Sequence, residues 1–162
     1  MSEEQKAADA LAELQGKMQS VQLSTVGDDG EPHSGYTPFL LDDNQLIVFV
    51  SQLALHTRDL LANGQASAMI ITDEAEASQI FARTRVTYQC KAEVVARDAQ
   101  EYDSLLNRFE ERHGKMIGLL RQLPDFVLFR LVPQRGQLVM GFGKAYRMTG
   151  EKLDQFELAR SA

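Results

Sequence analysis

Ser51, His56, Thr57 and Arg58 lie close together where an apolar strand pattern gives way to a helical one. A helix N-terminus exposes unpaired backbone amides and the positive end of the helix dipole, so the junction suits a phosphate or a carboxylate. Arg58 adds a charged donor, and Thr57 fits the N-cap position. The plainer reading has Thr57 capping the helix and His56 and Arg58 on the surface. Arg83 and Arg85 sit two residues apart in a strand-like segment. That spacing sets both guanidinium groups on one face, about 6–7 Å apart. Guanidinium forks take phosphate or carboxylate bidentately. Thr87 and Lys91 continue the face, and a solvated polar face is the plainer reading. Gly141 and Gly143 flank Phe142, and Lys144 follows. Glycines let a flat ring approach the backbone, Phe142 offers a stacking surface and Lys144 a cation. A bulge or bend is the plainer reading.

The three histidines, His33, His56 and His113, show no close metal-ligand spacing. Each suits a surface or capping role, and His113 beside a helix C-terminus suits the dipole. Cys90 is the single cysteine. It falls on the inward face of a strand and reads as a buried structural thiol. No serine–histidine–acid grouping, phosphate loop or zinc motif is present.

The elements that must position these residues follow from periodicity. Ala7, Leu11, Leu14 and Met18 make one apolar stripe, which predicts a helix over 4–18. Residues 20–26 alternate as a strand, and Gly27-Asp28-Asp29-Gly30 marks a hairpin turn. A strand follows over 34–41, and Pro38 confines it to an edge or a bulge. Residues 45–51 are apolar on both faces, with Leu46, Val48 and Val50 on one and Ile47 and Phe49 on the other. Such a strand belongs inside a barrel or a covered sheet. A helix over 57–63 ends at Gly64, and 66–72 is another buried strand.

Period two runs from 81 to 96. Val86, Tyr88, Cys90, Ala92 and Val94 face the core, while Arg83, Arg85, Thr87 and Lys91 face outward. Asp98 and Glu101 resemble a capping box for a helix that closes at Gly114. A second short helix runs to about 122. The last strands are read at 126–132 and 137–147, joined by Pro133-Gln134-Arg135-Gly136. A helix is expected over 151–162. Short turns between strands imply an antiparallel sheet, and six or seven strands suggest a small barrel.

Composition bounds the class. The chain of 162 residues is 44% hydrophobic and 25% charged, ordinary for a globular protein. That length fits a single domain, 1–162, able to bury roughly two thirds of its unfolded surface without staples. No apolar run approaches the ~20 residues of a membrane span, and an acidic start argues against a signal peptide. A cytoplasmic protein without membrane or nucleic-acid partners is expected. The net charge of −6 is uneven: residues 1–31 hold seven acids and two bases. No acid occurs between Glu76 and Glu93 or between Asp125 and Glu151, so two locally basic segments remain for an anionic ligand.

The segments Ser51-Gln52-Leu53-Ala54-Leu55-His56-Thr57-Arg58-Asp59-Leu60, Arg83-Thr84-Arg85-Val86-Thr87-Tyr88 and Gly141-Phe142-Gly143-Lys144-Ala145 resemble the flavin-binding split barrel of the pyridoxamine 5′-phosphate oxidase superfamily. The third segment is similar to the heme-utilisation (HugZ/HutZ-type) branch. The resemblance spans residues 10–158. It implies a mainly β, α+β split barrel that forms a homodimer with two interfacial clefts. Heme occupies such clefts in the heme branch and flavin mononucleotide (FMN) in the oxidases. Ser51, His56, Thr57, Arg58, Arg83, Arg85, Thr87, Phe142 and Lys144 are then the expected cofactor-binding residues. Three activities stay open: oxidative heme degradation with iron release, FMN-dependent oxidation of a small substrate, and non-catalytic heme storage or delivery. The heme branch is expected to supply an axial histidine from its C-terminal region. This chain has none there, ending Leu158-Ala159-Arg160-Ser161-Ala162. Asp125 is a candidate to orient such a ligand, and a turn residue on the plainer reading.

Overall fold

The computed structural model describes residues 1–159. Helix α1 (Glu3–Lys17) starts at Ser2, whose hydroxyl accepts from the Gln5 amide at 3.1 Å. Its buried Ala7 and Leu14 join the barrel core. Strands β1 (Ser20–Val26) and β2 (Pro32–Pro38) form the expected hairpin. β2 is a terminal strand of the sheet, where Pro38 is tolerated. Phe39, fully buried, interrupts the pairing, so the expected 34–41 strand divides into β2 and β3 (Leu40–Asp42).

β4 (Gln45–Ser51) is the strand on which two cores meet. Leu46, Val48 and Val50 enter the barrel core; Ile47 and Phe49 enter a second core under α3 (Tyr102–His113) and α4 (Met116–Leu120). The two-sided apolar pattern of β4 therefore marks the wall between the cores. α2 (Leu55–Asn63) ends at Gly64, whose φ of 69° is left-handed. β5 (Gln65–Ile71) and β6 (Arg85–Val94) follow.

The sheet runs β2-β1-β5-β6-β7-β4-β3, all antiparallel, with β7 spanning Phe126–Val139 and β8 (Ala145–Thr149) and β9 (Gln155–Leu158) added beside it. One edge of β7 pairs with β6 along its length; the other pairs with β4 through 126–131 and with β8 through 136–139. That single long strand makes the barrel split.

Several expectations need correction. Pro133 to Gly136 is not a loop between strands: it is a bulge inside β7, where Gln89 pairs with Arg135 and Cys90 with Pro133, leaving Gln134 extra. A bulge accommodates a proline that has no amide to donate. The strand expected over 137–147 instead turns at Gly141–Lys144, with Gly143 at φ 69°. Residues 151–159 are not helical. They form a turn and β9, because Phe156 packs edge-on to Tyr146 at 6.5 Å and the segment completes the ladder of β8. Residues 160–162 of that expected helix lie outside the described residues. The inward face of β6 holds as far as Ala92, which packs partly buried against the barrel core, but beyond it Val95, not Val94, is buried, as the chain dives beneath α3. Asp98 and Glu101 make no capping box: α3 has Glu101 at its N-cap without a side-chain bond. Nine strands stand among the described residues, against the six or seven expected.

Candidate functional site

The junction between β4 and α2 is built by a serine–aspartate pair. Ser51 Oγ donates to Asp125 Oδ2 at 2.8 Å and accepts from the Leu53 amide at 3.1 Å. The Gln52 amide donates to the Asp125 carbonyl at 2.8 Å. Asp125 thus ties the start of β7 to the end of β4 and fixes where α2 begins. Arg58 folds back over this turn, its Nε donating to the Gln52 carbonyl at 3.1 Å, with the guanidinium otherwise exposed.

Thr57 is not the N-cap. The helix starts two residues earlier, its N-cap Ala54 has no hydroxyl or carboxylate to cap with, and the leading amides have no side-chain acceptor. Thr57 is fully buried in the first turn, and its Oγ1 has no hydrogen-bond partner. The uncapped amides and the Arg58 cation beside them are the donors that an anion needs, while the sealed Thr57 hydroxyl lies beneath them. The residues present therefore fit the anionic end of either cofactor, a propionate or a phosphate.

His56 is on the same turn but faces inward. A Cβ built on Gly35 of β2 would lie 2.7 Å from its Nδ1, so the glycine is what admits the ring. Burial pulls its pKa below the usual value, partly offset by Asp59, so the ring is neutral near pH 7. It positions the helix against β2 and offers an anion no charge.

The second expected pair divides. Arg83 lies outside β6, after a 3-10 turn at Ile80–Ala82, so it does not share a ladder face with Arg85. Its Nε and terminal nitrogen donate to the Thr72 carbonyl, and Glu74 is 3.7 Å away. Arg85 donates to the Arg83 carbonyl at 3.0 Å and keeps its remaining donors. Thr87 lies on the outer face of the sheet, in a cross-strand row with Gln137 and Arg147, beside Arg135. Arg130, from the same acid-free stretch, is bound to Asp42 at 2.9 Å and is not free for a ligand. Phe142 projects from the β7–β8 turn and is 70% exposed; Lys144 closes that turn, and its charge is felt by Glu3 of α1.

The candidate residues therefore form two groups at opposite ends of β7. Ser51, His56, Thr57 and Arg58 sit near Phe126; Arg85 pairs opposite Val139, and Phe142 and Lys144 follow it. The 14 residues of β7 have a contour length of about 46 Å at ~3.3 Å per residue.

No group of three or more histidine, cysteine or acidic side chains that could hold a metal occurs among the described residues. All three histidines are engaged by the fold: His33 Nδ1 with Asp59 at 2.7 Å, His113 Nε2 with the Phe39 carbonyl at 2.7 Å, and His56 against Gly35. Sequence reasoning missed Asp59. It is buried on α2 and accepts from Thr25 Oγ1 at 2.7 Å and from His33, so it locks α2 to the β1–β2 hairpin. An acid one place before the apolar Leu60, on the buried side of a short helix, was the available signal.

The family model for pyridoxamine 5′-phosphate oxidase matches residues 7–140. The chain belongs to the pyridoxamine 5′-phosphate oxidase family. Within that family it is 40% identical over 146 residues to the heme oxygenase HutZ of Vibrio cholerae, covering 90% of this chain and 83% of HutZ. It is 29% identical over 124 residues to the chloroplastic non-canonical heme oxygenase HOZ of Arabidopsis thaliana, covering 76% of this chain and 36% of HOZ. The crystal structure of HutZ, there described as the heme storage protein of Vibrio cholerae, superposes with a TM-score of 0.79 at 37% identity, covering 84% of this chain and 97% of that one. Campylobacter jejuni ChuZ shares the split-barrel fold with a TM-score of 0.85 at 24% identity, over 96% of this chain and 63% of that one. No helix among the described residues is long and apolar enough to cross a membrane.

Proposed function

We propose that this protein binds heme for heme utilisation, as a homodimer, and degrades it oxidatively with release of iron. The observation that carries the reading is the 40% identity with the heme oxygenase HutZ across most of both chains. The junction supports it: the uncapped start of α2 and the exposed Arg58 guanidinium would receive a propionate. Arg85 and Lys144 supply further cations, and the exposed Phe142 a stacking surface. Ser51 and Asp125 keep this junction in place. Oxygen activation is the chemistry that bound heme supplies; the chain binds, orients and shields it. Because the two groups of site residues lie at opposite ends of β7, a composite cleft between two copies is the arrangement that brings them together.

Hemin titrated into purified protein gives a shifted Soret band that saturates near one heme per chain. No spectral change overturns the reading. Ascorbate added to the complex in air then separates degradation from storage: loss of the Soret band with iron release means turnover, and a persistent band means a storage or delivery protein. The family match over residues 7–140 favours a second reading, an FMN-dependent oxidoreductase with the flavin phosphate at the same junction. A yellow preparation with the absorbance of oxidised flavin selects it.

A further inference from the structure

A cavity of about 330 Å³ opens between α1 and the barrel wall, on the side of β8 and β9. Leu11, Val132, Met148, Leu153 and Phe156 give it apolar sides, and the buried Tyr88 lies in its wall with Gln15. The Gln15 amide nitrogen donates to the Tyr88 hydroxyl at 2.8 Å. Among the described residues that hydroxyl has no acceptor for its own proton. Burial holds the phenol far above its usual pKa, so it remains a donor wherever the protein is folded. A mostly apolar pocket of this size with one or two placed polar groups has the make-up of a small-molecule site.

Two further observations separate this cavity from the cofactor junction. Its rim carries Asp43, Glu151 and Asp154 against the single Lys152, so an anion is repelled where the junction attracts one. Asp43, Asn44 and Leu153 have φ of 47°, 64° and 53°, and they are the non-glycine residues with positive φ among those described. All three line this cavity. Asp43 and Asn44 form the two-residue turn of the β3–β4 hairpin, where left-handed backbone is ordinary, whereas the same conformation is costly for Leu153.

We infer that this cavity is a second ligand site, for a small apolar molecule that carries a hydrogen-bond acceptor and no negative charge. Tyr88 donates to the acceptor, α1 and β9 enclose the apolar body, and the acidic rim excludes heme and flavin phosphate. The site does not depend on which cofactor the junction holds.

The probe is 6-propionyl-2-(dimethylamino)naphthalene, a neutral naphthalene with one carbonyl whose emission shifts to the blue on leaving water. It binds the full chain saturably, one per chain, and at least tenfold more tightly than the anionic 1-anilinonaphthalene-8-sulfonate. Ala8→Leu adds bulk from the α1 wall and lowers affinity for the neutral probe at least tenfold. Tyr88→Phe removes only the donor and lowers it about three- to tenfold, the range for one neutral hydrogen bond. Unsaturable binding, equal affinity for the anionic dye, or unchanged affinity in Tyr88→Phe overturns the site. Because Tyr88→Phe adds no volume, the test stands even if Ala8→Leu disturbs packing.

Discussion

Asp59 has the most consequential side chain that composition and spacing did not single out. Burial raises its pKa, but the hydrogen bonds from His33 and Thr25 outweigh that, and the net shift is downward from 3.8. His33 moves the other way, raised above 6.5 mainly by its bond to Asp59. A histidine with a raised folded pKa stabilises the fold at low pH and loses that contribution as pH climbs through the folded value. A carboxylate with a depressed pKa contributes above its unfolded value and loses it as pH falls. The pair is therefore strongest between 3.8 and 6.5. His33→Gln keeps a donor but abolishes the titration. In thermal melts its deficit in Tm is widest at about pH 4–6.5 and shrinks at about pH 8; a gap that does not vary with pH contradicts the ion pair. Cys90 provides a second residue-scale test. Burial pushes its thiol up to about 12, so a disulfide reagent leaves it unmodified in the native protein near pH 8 and labels it once per chain after unfolding. Fast labelling of the native protein counts against a sealed barrel core.

At the scale of elements, α2 joins the barrel's packing to its chemistry. Thr57 keeps an unpaired hydroxyl sealed in the first turn of α2, and an unpaired buried polar group costs about 1–3 kcal/mol. Thr57→Val, nearly isosteric, therefore stabilises the unliganded protein by about 1 kcal/mol in urea denaturation. The same change leaves hemin affinity within about twofold, because the buried hydroxyl does not reach the surface of the junction. A variant that loses stability, or that loses hemin affinity several-fold, shows that the hydroxyl has a partner in the folded protein. The elements legible beforehand were those whose pattern and boundary agree. β4 declared both of its cores through Leu46/Val48/Val50 and Ile47/Phe49, and Gly64 and Gly114 stopped their helices. What stayed hidden depended on pairing partners. Glu151 to Leu158 has helix-forming composition, yet the ladder with β8 and the Phe156–Tyr146 contact make it a hairpin arm. Pro133 looked like a break because nothing local reveals the bulge opposite Gln89. In the site, the types of Arg58 and Arg85 were readable, but Arg83's engagement with Thr72 and His56's inward rotamer were not. Both depend on backbone atoms brought in by other strands.

For the whole molecule, the question is whether one chain can make a cofactor site alone. Arg58 and Thr57 stand at the Phe126 end of β7, Arg85 and Lys144 at the Val139 end. Leu53, Phe81 and Phe142 are 80%, 82% and 70% exposed, single apolar side chains that an interface between two copies would cover. The symmetric dimer proposed above would satisfy both facts, because a two-fold axis running across β7 would lay the Phe126 end of one chain beside the Val139 end of the other. Sedimentation at micromolar concentration then shows a two-chain species, and a monomer removes the composite cleft. Complementation is the sharper test. In homodimers, Arg58→Gln and Arg85→Gln each damage both clefts, and hemin affinity falls about tenfold or more with the loss of one charged hydrogen bond at each. In a mixed dimer carrying one chain of each, the two lesions fall together in one cleft and the other cleft has both arginines. Mixing the variants under subunit exchange therefore restores tight binding to half of the clefts in every mixed dimer. If each cleft were built within a single chain, mixing would restore nothing.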